Sequence, residues 1–263
     1  MKTMIAVHGA CGRMGQRIVQ LAVEDPSLKL AAAVDSSSHP HFGKDIGELC
    51  GLGKLDVAVS SNLPKGVDAV IDFSVPEGTM AILKECVARK TPLVVATTGF
   101  TTEEKREIEA AAHHTAILLA PNMSLVVNVL FKLVRDAAAA LKDKGFDAEI
   151  IERHHRFKKD SPSGTALHFA REIQNVWGDD FKIQHGRDGL VGERPVKEIG
   201  MHAVRVGDNV GEHTIIFSAL GETMELVHKG HTRDAYVRGA LAAAKFLAGK
   251  PAGQYTMNDV LGL

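Results

Sequence analysis

Along the first half of the chain, apolar and polar positions fall into alternating blocks. Short runs without polar alternation occur at Met4 to His8, Leu28 to Val34, Asp68 to Phe73, Leu93 to Ala96 and Ile117 to Ala120. Such runs read as strands buried on both faces. Between them lie stretches of helical period. Gly12 to Glu24 sets Met14, Ile18, Leu21 and Ala22 on one face. Pro76, at a first helical position, opens a helix to about Arg89. Thr101 and Glu104 form a capping-box pattern that opens another through His113. This alternation predicts a parallel sheet covered by helices.

After Pro121 the pattern changes. Ser124 to Leu141 predicts a long helix, Asp147 to Arg153 a strand, and Ser163 to Trp177 a helix. A loop-rich stretch with Gly186, Gly189, Gly192 and Pro195 follows. Ile199 to Val206, Val210 to Ala219 and Glu222 to Lys229 predict three strands. Short turns at Gly207-Asp208-Asn209 and Gly221 join them, so they are expected to run antiparallel. Arg233 to Leu247 closes the series as a helix. The expected fold class is α/β, a Rossmann-type doubly wound parallel sheet plus a second α+β domain with a mixed sheet. Expected boundaries are 1–124 for the doubly wound domain and 125–232 for the α+β domain. Residues 233–263 are expected to return to the first domain as a C-terminal helix.

Composition narrows the function classes. The 263 residues are 45% hydrophobic and 24% charged, the profile of a globular protein. A formal net charge of −1 argues against general attraction to nucleic acid or to an anionic membrane. The longest apolar run, Ser124 to Leu133, is interrupted by Asn128 and Lys132, so no membrane span or secretory leader is expected. Cys11, Cys50 and Cys86 are odd in number and form no C-x-x-C pair. That excludes a disulfide framework and a thiolate zinc site, and it suits a reducing cytoplasm. His228 and His231 are spaced as a metal pair would be, but no third ligand has fitting spacing, so no metal is expected.

Chemistry gathers first at Gly9-Ala10-Cys11-Gly12-Arg13-Met14-Gly15, directly after the first strand. A glycine-rich turn into a helix lets backbone N–H groups approach a pyrophosphate. The spacing is G-x-x-G-x-x-G, with Ala10 where the commoner pattern has a glycine. Asp35 ends the second strand. It is either an acceptor for ribose hydroxyls that repels a 2′-phosphate, or a strand-end turn residue. Arg13 is either a solvated arginine or a partner for phosphate or substrate charge. Cys11 is a tolerated small residue or a thiol whose pKa a helix N-terminus depresses, in which case a bound dinucleotide should shield it.

The second concentration runs from Glu152 to Ala166 as Glu-Arg-His-His-Arg-Phe-Lys-Lys-Asp-Ser-Pro-Ser-Gly-Thr-Ala. Cationic and imidazole side chains crowd the end of a strand, and a Ser-Gly-Thr turn then starts a helix. Free N–H groups and the Ser163 and Thr165 hydroxyls make that turn a carboxylate receptor. The alternative is a solvated basic loop followed by a helix cap.

These two strings, with D-F-S-V-P-E-G, A-T-T-G-F, A-P-N-M-S and V-G-E-H-T, resemble the dihydrodipicolinate reductase family across essentially the whole chain. The resemblance implies reduction of a small cyclic dicarboxylate by NADH, with NADPH as a second donor, in lysine biosynthesis. It implies a cytoplasmic homotetramer joined through second-domain sheets. His154 and Lys158 match the catalytic pair, with Lys158 the proton donor. His155 matches a substrate contact, and Ser163, Gly164 and Thr165 match the carboxylate clamp. Gly9, Ala10, Cys11, Gly12, Arg13, Met14, Asp35, Ala96, Thr97, Thr98, Ala120, Pro121, Asn122 and Met123 match cofactor contacts. Ala96 stands where the family commonly has glycine. Two other readings compete. A different two-domain dehydrogenase acting through a cysteine would need that thiol outside the nucleotide domain, where none lies. A non-catalytic nucleotide sensor leaves His154 and Lys158 without a purpose.

Overall fold

The computed structural model describes residues 2–263. The first blocks become β1 (Thr3–His8), α1 (Arg13–Glu24), β2 (Leu28–Val34), α2 (Ile46–Leu49), β3 (Val59–Ser60), β4 (Ala69–Asp72), α3 (Pro76–Arg89), β5 (Leu93–Val95), α4 (Thr102–Ala111) and β6 (Ala116–Leu119). There follow α5 (Leu125–Leu141), β7 (Asp147–His154), α6 (Gly164–Trp177), β8 (Lys182–His185), β9 (Glu198–Arg205), β10 (Gly211–Ala219) and β11 (Glu222–Gly230). The chain closes with α7 (Asp234–Leu247), β12 (Gly253–Tyr255) and α8 (Met257–Leu261). It divides into two compact units, one of Met1–Leu125 with Asp234–Leu263 and one of Val126–Arg233.

In the first unit seven strands run in the order β12-β6-β5-β4-β1-β2-β3, and their pairings are parallel. The apolar runs lack alternation because both faces are covered. Ile5, Val7, Ile71 and Val94 pack into one core cluster, which also takes in Ile18 of α1 and Val237, Ala240, Leu241, Ala244 and Leu247 of α7. Ala6, Val70, Leu93 and Val95 point the other way, towards Ile82 and Leu83 of α3 and Ile108 of α4. Successive strand residues thus serve opposite layers. β1 lies between β4 and β2, so the chain order reverses there, and the ends of β1 and β4 flank the crevice where such sheets bind ligands.

The second unit is a five-stranded sheet in the order β11-β10-β7-β9-β8. Helix α5 contributes Val127, Leu130, Phe131, Val134 and Ala138, and α6 contributes Ala166, Phe169, Ala170, Ile173 and Trp177. Both sets follow i, i+3, i+4, i+7 spacing and cover Ala148, Ile150, Ile199, Met201, Ile215 and Phe217 on one sheet face. The other face carries Ile151, Ile216 and Val227 among Glu149, Arg153 and Glu212, all of them partly or fully accessible.

The three last strands alternate in direction as expected, but they are not all neighbours. β10 and β11 form the antiparallel hairpin. β9 does not pair with β10, however. β7 is inserted between them, antiparallel to β10 and parallel to β9. The Gly207-Asp208-Asn209 turn therefore steps across the end of β7, where the Val206 N–H donates to His154 O and the Arg156 N–H donates to Gly207 O. A short turn signal marks a reversal of direction and not whether an earlier strand occupies the gap. β8, β3, β12, α2 and α8 also lie outside the expected elements, being too short to show a period.

Candidate active site

At the C-terminal end of β1 the chain must turn sharply under α1. Gly9 has φ +73°, and a Cβ there would lie 2.5 Å from Phe73 O. A Cβ at Gly15 would overlap Gly9 O. The outer two glycines are thus required by backbone contact alone. Gly12 caps α1 without a side chain, and the first turn contains no acidic residue. The helix N-terminus is therefore open to a phosphate. Arg13 and Gly12 are exposed beside it. Asp35 accepts hydrogen bonds from the Cys11 N–H (2.8 Å) and the Ser36 N–H (2.8 Å), so the β2 end and the glycine turn are tied together.

Beneath this turn lies a buried network that sequence reasoning missed. Asp72, fully buried at the end of β4, meets His8 Nδ1 at 2.7 Å. It also accepts from the hydroxyls of Ser74 (2.6 Å), Thr79 (2.6 Å) and Thr97 (2.8 Å). Thr97 Oγ1 in turn accepts the Ser74 N–H. The Ala96-Thr97-Thr98 loop after β5 is thereby pinned to the loop after β4, and the Ala96 N–H donates to Asp72 O. Ala120 follows β6, with its N–H on Val95 O. Asn122 Oδ1 accepts the Ser124 N–H at 2.9 Å, while Met123 is buried and Pro121 exposed. The expected cofactor residues thus fall at the C-terminal ends of β1, β2, β5 and β6. The signal for the network was D-F-S itself, an acidic residue closing an apolar strand.

Cys11 requires a correction. Burial, followed by the neighbouring Asp35 charge, pushes its thiol up to about 12, opposite to the effect of a helix N-terminus.

In the second unit the chemistry centres on β7. Glu152 and His154 are two residues apart and point to the same side of the strand. His154 Nδ1 lies 2.6 Å from Glu152 Oε2, and Glu152 is wholly buried. Arg205 of β9 grips the same carboxylate through both terminal nitrogens at 2.8 Å, and the Ser163 N–H donates to Oε1 at 3.0 Å. Burial alone would raise the Glu152 pKa, yet these donors hold it down at about 2. Lys158 lies in the loop beyond β7, with Nζ 2.8 Å from Asp160 Oδ1, a contact that lowers the Asp160 pKa. His155 Nδ1 is buried without a hydrogen-bond partner.

Helix α6 begins at Gly164, whose Cβ position is open space. The Ser163 side chain is buried at the start of the turn. Its Oγ accepts the Ala166 N–H at 3.2 Å and lies 3.3 Å from His213 Nε2. The oxygen thus caps α6 and also shares a hydrogen bond with the His213 imidazole. His213 itself is buried, and burial followed by the charge of neighbouring His154 lowers its pKa to about 3. His228 packs beside it at 5.8 Å between ring centroids. Among the described residues, no group of three His, Cys, Asp or Glu side chains could hold a metal, and no helix is long and apolar enough to cross a membrane.

A doubly wound sheet with a glycine turn at its switch point, together with an α+β unit bearing a histidine–lysine cluster, defines a two-unit nicotinamide-dependent oxidoreductase. The comparisons with known proteins agree. Family models described as dihydrodipicolinate reductase, N-terminus and C-terminus, match residues 3–123 and 126–261. The chain therefore belongs to the dihydrodipicolinate reductase family. It is 47% identical to the 4-hydroxy-tetrahydrodipicolinate reductase of Rhodopirellula baltica, over 98% of this chain and 96% of that one. It is 44% identical to the protein of that name from Syntrophotalea carbinolica, over 98% of each. Among solved structures, a dipicolinate-bound dihydrodipicolinate reductase from Paenisporosarcina sp. TG-14 shares the fold. Its TM-score is 0.78 at 24% identity, covering 97% of this chain and 98% of that one.

Proposed function

We propose that this chain reduces 4-hydroxy-tetrahydrodipicolinate to tetrahydrodipicolinate with loss of water, in the diaminopimelate route to lysine. The observation that carries the reading is the convergence of His154, Glu152 and the Ser163 N–H at the start of α6, with Lys158 in the loop between β7 and that helix. A dicarboxylate ring needs fixed donors to orient it, and the α6 N-terminus at Gly164 and Thr165 supplies them for one carboxylate. His155, the residue directly after β7, is the proposed contact for the other. Bound nicotinamide supplies a hydride. Lys158 donates the proton that neutralises charge building on the ring. Loss of the 4-hydroxyl precedes this step: the same ammonium protonates the departing hydroxyl as the C–O bond breaks, and the resulting amine takes the proton released from the adjacent ring carbon, so the ammonium is restored before hydride transfer.

The turn from Gly9 to Met14 takes the pyrophosphate, and Asp35 takes the adenosine ribose hydroxyls. Its carboxylate repels a 2′-phosphate, so NADH serves at least as well as NADPH. Of the basic residues that follow Asp35, His39 packs on His41, and Lys44 Nζ lies 3.5 Å from His41 Nδ1. Ala96 to Thr98 and Ala120 to Met123 complete the cofactor contacts. The accessible sheet face with Ile151, Ile216 and Val227 supports a homotetramer, and three free cysteines fit a cytoplasmic protein. The test is a coupled assay with the preceding synthase. NADH absorbance should fall only when the cyclic substrate is supplied, and kcat/KM with NADPH should not exceed that with NADH. A protein that binds NADH but never oxidises it would sink the reading.

A further inference from the structure

Glu152 is in an unusual position for a residue that touches neither substrate nor cofactor in the mechanism above. It is a fully buried carboxylate, and each of its four acceptor directions is filled. Oε1 takes Arg205 Nη2 (2.8 Å) and the Ser163 N–H (3.0 Å). Oε2 takes Arg205 Nη1 (2.8 Å) and His154 Nδ1 (2.6 Å). The donors come from three separate pieces of chain: the end of β7, the end of β9 and the start of α6. Arg205 extends the set, because its Nη2 also donates to Asp160 O at 2.7 Å, and the Asp160 carboxylate holds Lys158. Burying a charge is costly unless its partners are in place, and a buried network that is fully satisfied is stiff. An apolar side chain at 152 could fill the volume but could not aim three segments at once.

We infer that Glu152, gripped by Arg205, is the positioning residue of the reductase site, fixing which ring nitrogen of His154 carries the proton and where the α6 turn stands. The inference rests on the function proposed above. Because a carboxylate only accepts, the His154 proton sits on Nδ1, facing Glu152. In the neutral ring the other nitrogen, Nε2, is the one without a proton, and it is turned to Gly211, where a Cβ would stand 3.0 Å away. Glycine at 211 therefore keeps that nitrogen uncovered. A histidine held in one tautomer by a second group is preorganised for proton traffic, and losing the second group commonly costs about 10–100-fold in activity.

The test pairs kinetics with a reading of the tautomer. Histidine ¹⁵N resonances of the parent protein should show His154 as the Nδ1–H form. The Nε2–H form in the parent would overturn the inference whatever the variants do. Glu152→Gln should lower kcat by about 10–100-fold, with KM for NADH changed by less than about threefold, and should shift the His154 tautomer. Glu152→Asp and Arg205→Lys keep the charges and should each recover part of that loss. Should the glutamine variant not fold, Arg205→Lys carries the kinetic arm, with a smaller fall in kcat at unchanged KM for NADH. Parent-like kcat in Glu152→Gln, alongside impaired His154→Ala and Lys158→Ala, overturns the positioning role alone. Parent-like rates in all three overturn the site reading beneath it.

Discussion

His213 makes a quantitative prediction, because burial outweighs the Glu152 charge that opposes it. Its ring is 3% exposed, with Nε2 against the Ser163 hydroxyl and Nδ1 without a partner. Burial, reinforced by nearby His154, lowers its pKa from 6.5 to about 3. A group whose folded pKa is depressed stabilises the fold fully above its unfolded pKa, and that contribution is lost as pH falls towards the folded value. The window therefore opens near pH 6.5 and extends down to about 3. An ordinary imidazole is about one-quarter protonated at pH 7 and nearly all protonated at pH 5, whereas His213 stays neutral. Integrating that difference at about 1.4 kcal/mol per pH unit gives about 2 kcal/mol lost between pH 7 and pH 5. Glu149, Glu152 and Glu172, held down from 4.5 to about 2, keep their stabilising contribution above about pH 4.5 and lose it only as pH falls from there towards 2, so the window is separable. His228 shifts in the same direction through burial, which calls for a difference measurement. Urea unfolding at pH 7, 6 and 5 can be followed by Trp177, the one tryptophan, which packs in the core of the second unit. The parent should lose about 2 kcal/mol more than His213→Gln over that range. Equal losses would refute the claim that His213 is held neutral by burial.

Two further predictions follow from the two ends of the chemistry. Lys158→Ala should lower kcat by about 10²–10⁴-fold, the range for loss of a general acid, while NADH affinity measured by fluorescence stays near that of the parent. A near-parent rate would remove Lys158 from the mechanism. Cys11, with its thiol pushed up to about 12, should alkylate far more slowly at pH 8 than a free thiol, with or without NADH. Rapid labelling of the apoprotein that NADH then blocks would restore the low-pKa reading.

The parallel half of the fold was legible in the sequence because its strands are buried on both faces, so each announces itself as an unbroken apolar run. Ile5-Ala6-Val7 serves two helix layers at once and has no polar position to blur it. The capping box at Thr101 and Glu104 is present for a similarly local reason, since both partners lie within one turn. Strand neighbours in the mixed sheet were not legible. Pairing of β7 with β9 joins residues some fifty positions apart, and neither turn length nor alternation encodes which strand fills a gap. β8, Lys182–His185, lay hidden in a glycine-rich stretch because it is short and largely exposed.

The candidate site divides along the same line. His154 and Lys158 stand out in the sequence because cationic and imidazole groups are rare in such density at a strand end. Glu152 does not stand out. It is one acidic residue beside a basic string, and the plain expectation is a solvated counterion. Its meaning comes from Arg205, fifty-three positions away, and from the Ser163 N–H, eleven positions away, neither of which a local pattern can join to it. Cys11 failed for the complementary reason. The helix N-terminus that lowers a thiol pKa is a local feature, whereas the burial and the Asp35 carboxylate that raise it come from packing and from β2. Residues whose chemistry depends on their own type and their near neighbours can be read from a string. Residues whose chemistry is set by who surrounds them need the fold first, and in this chain these are the ones that position the reacting groups.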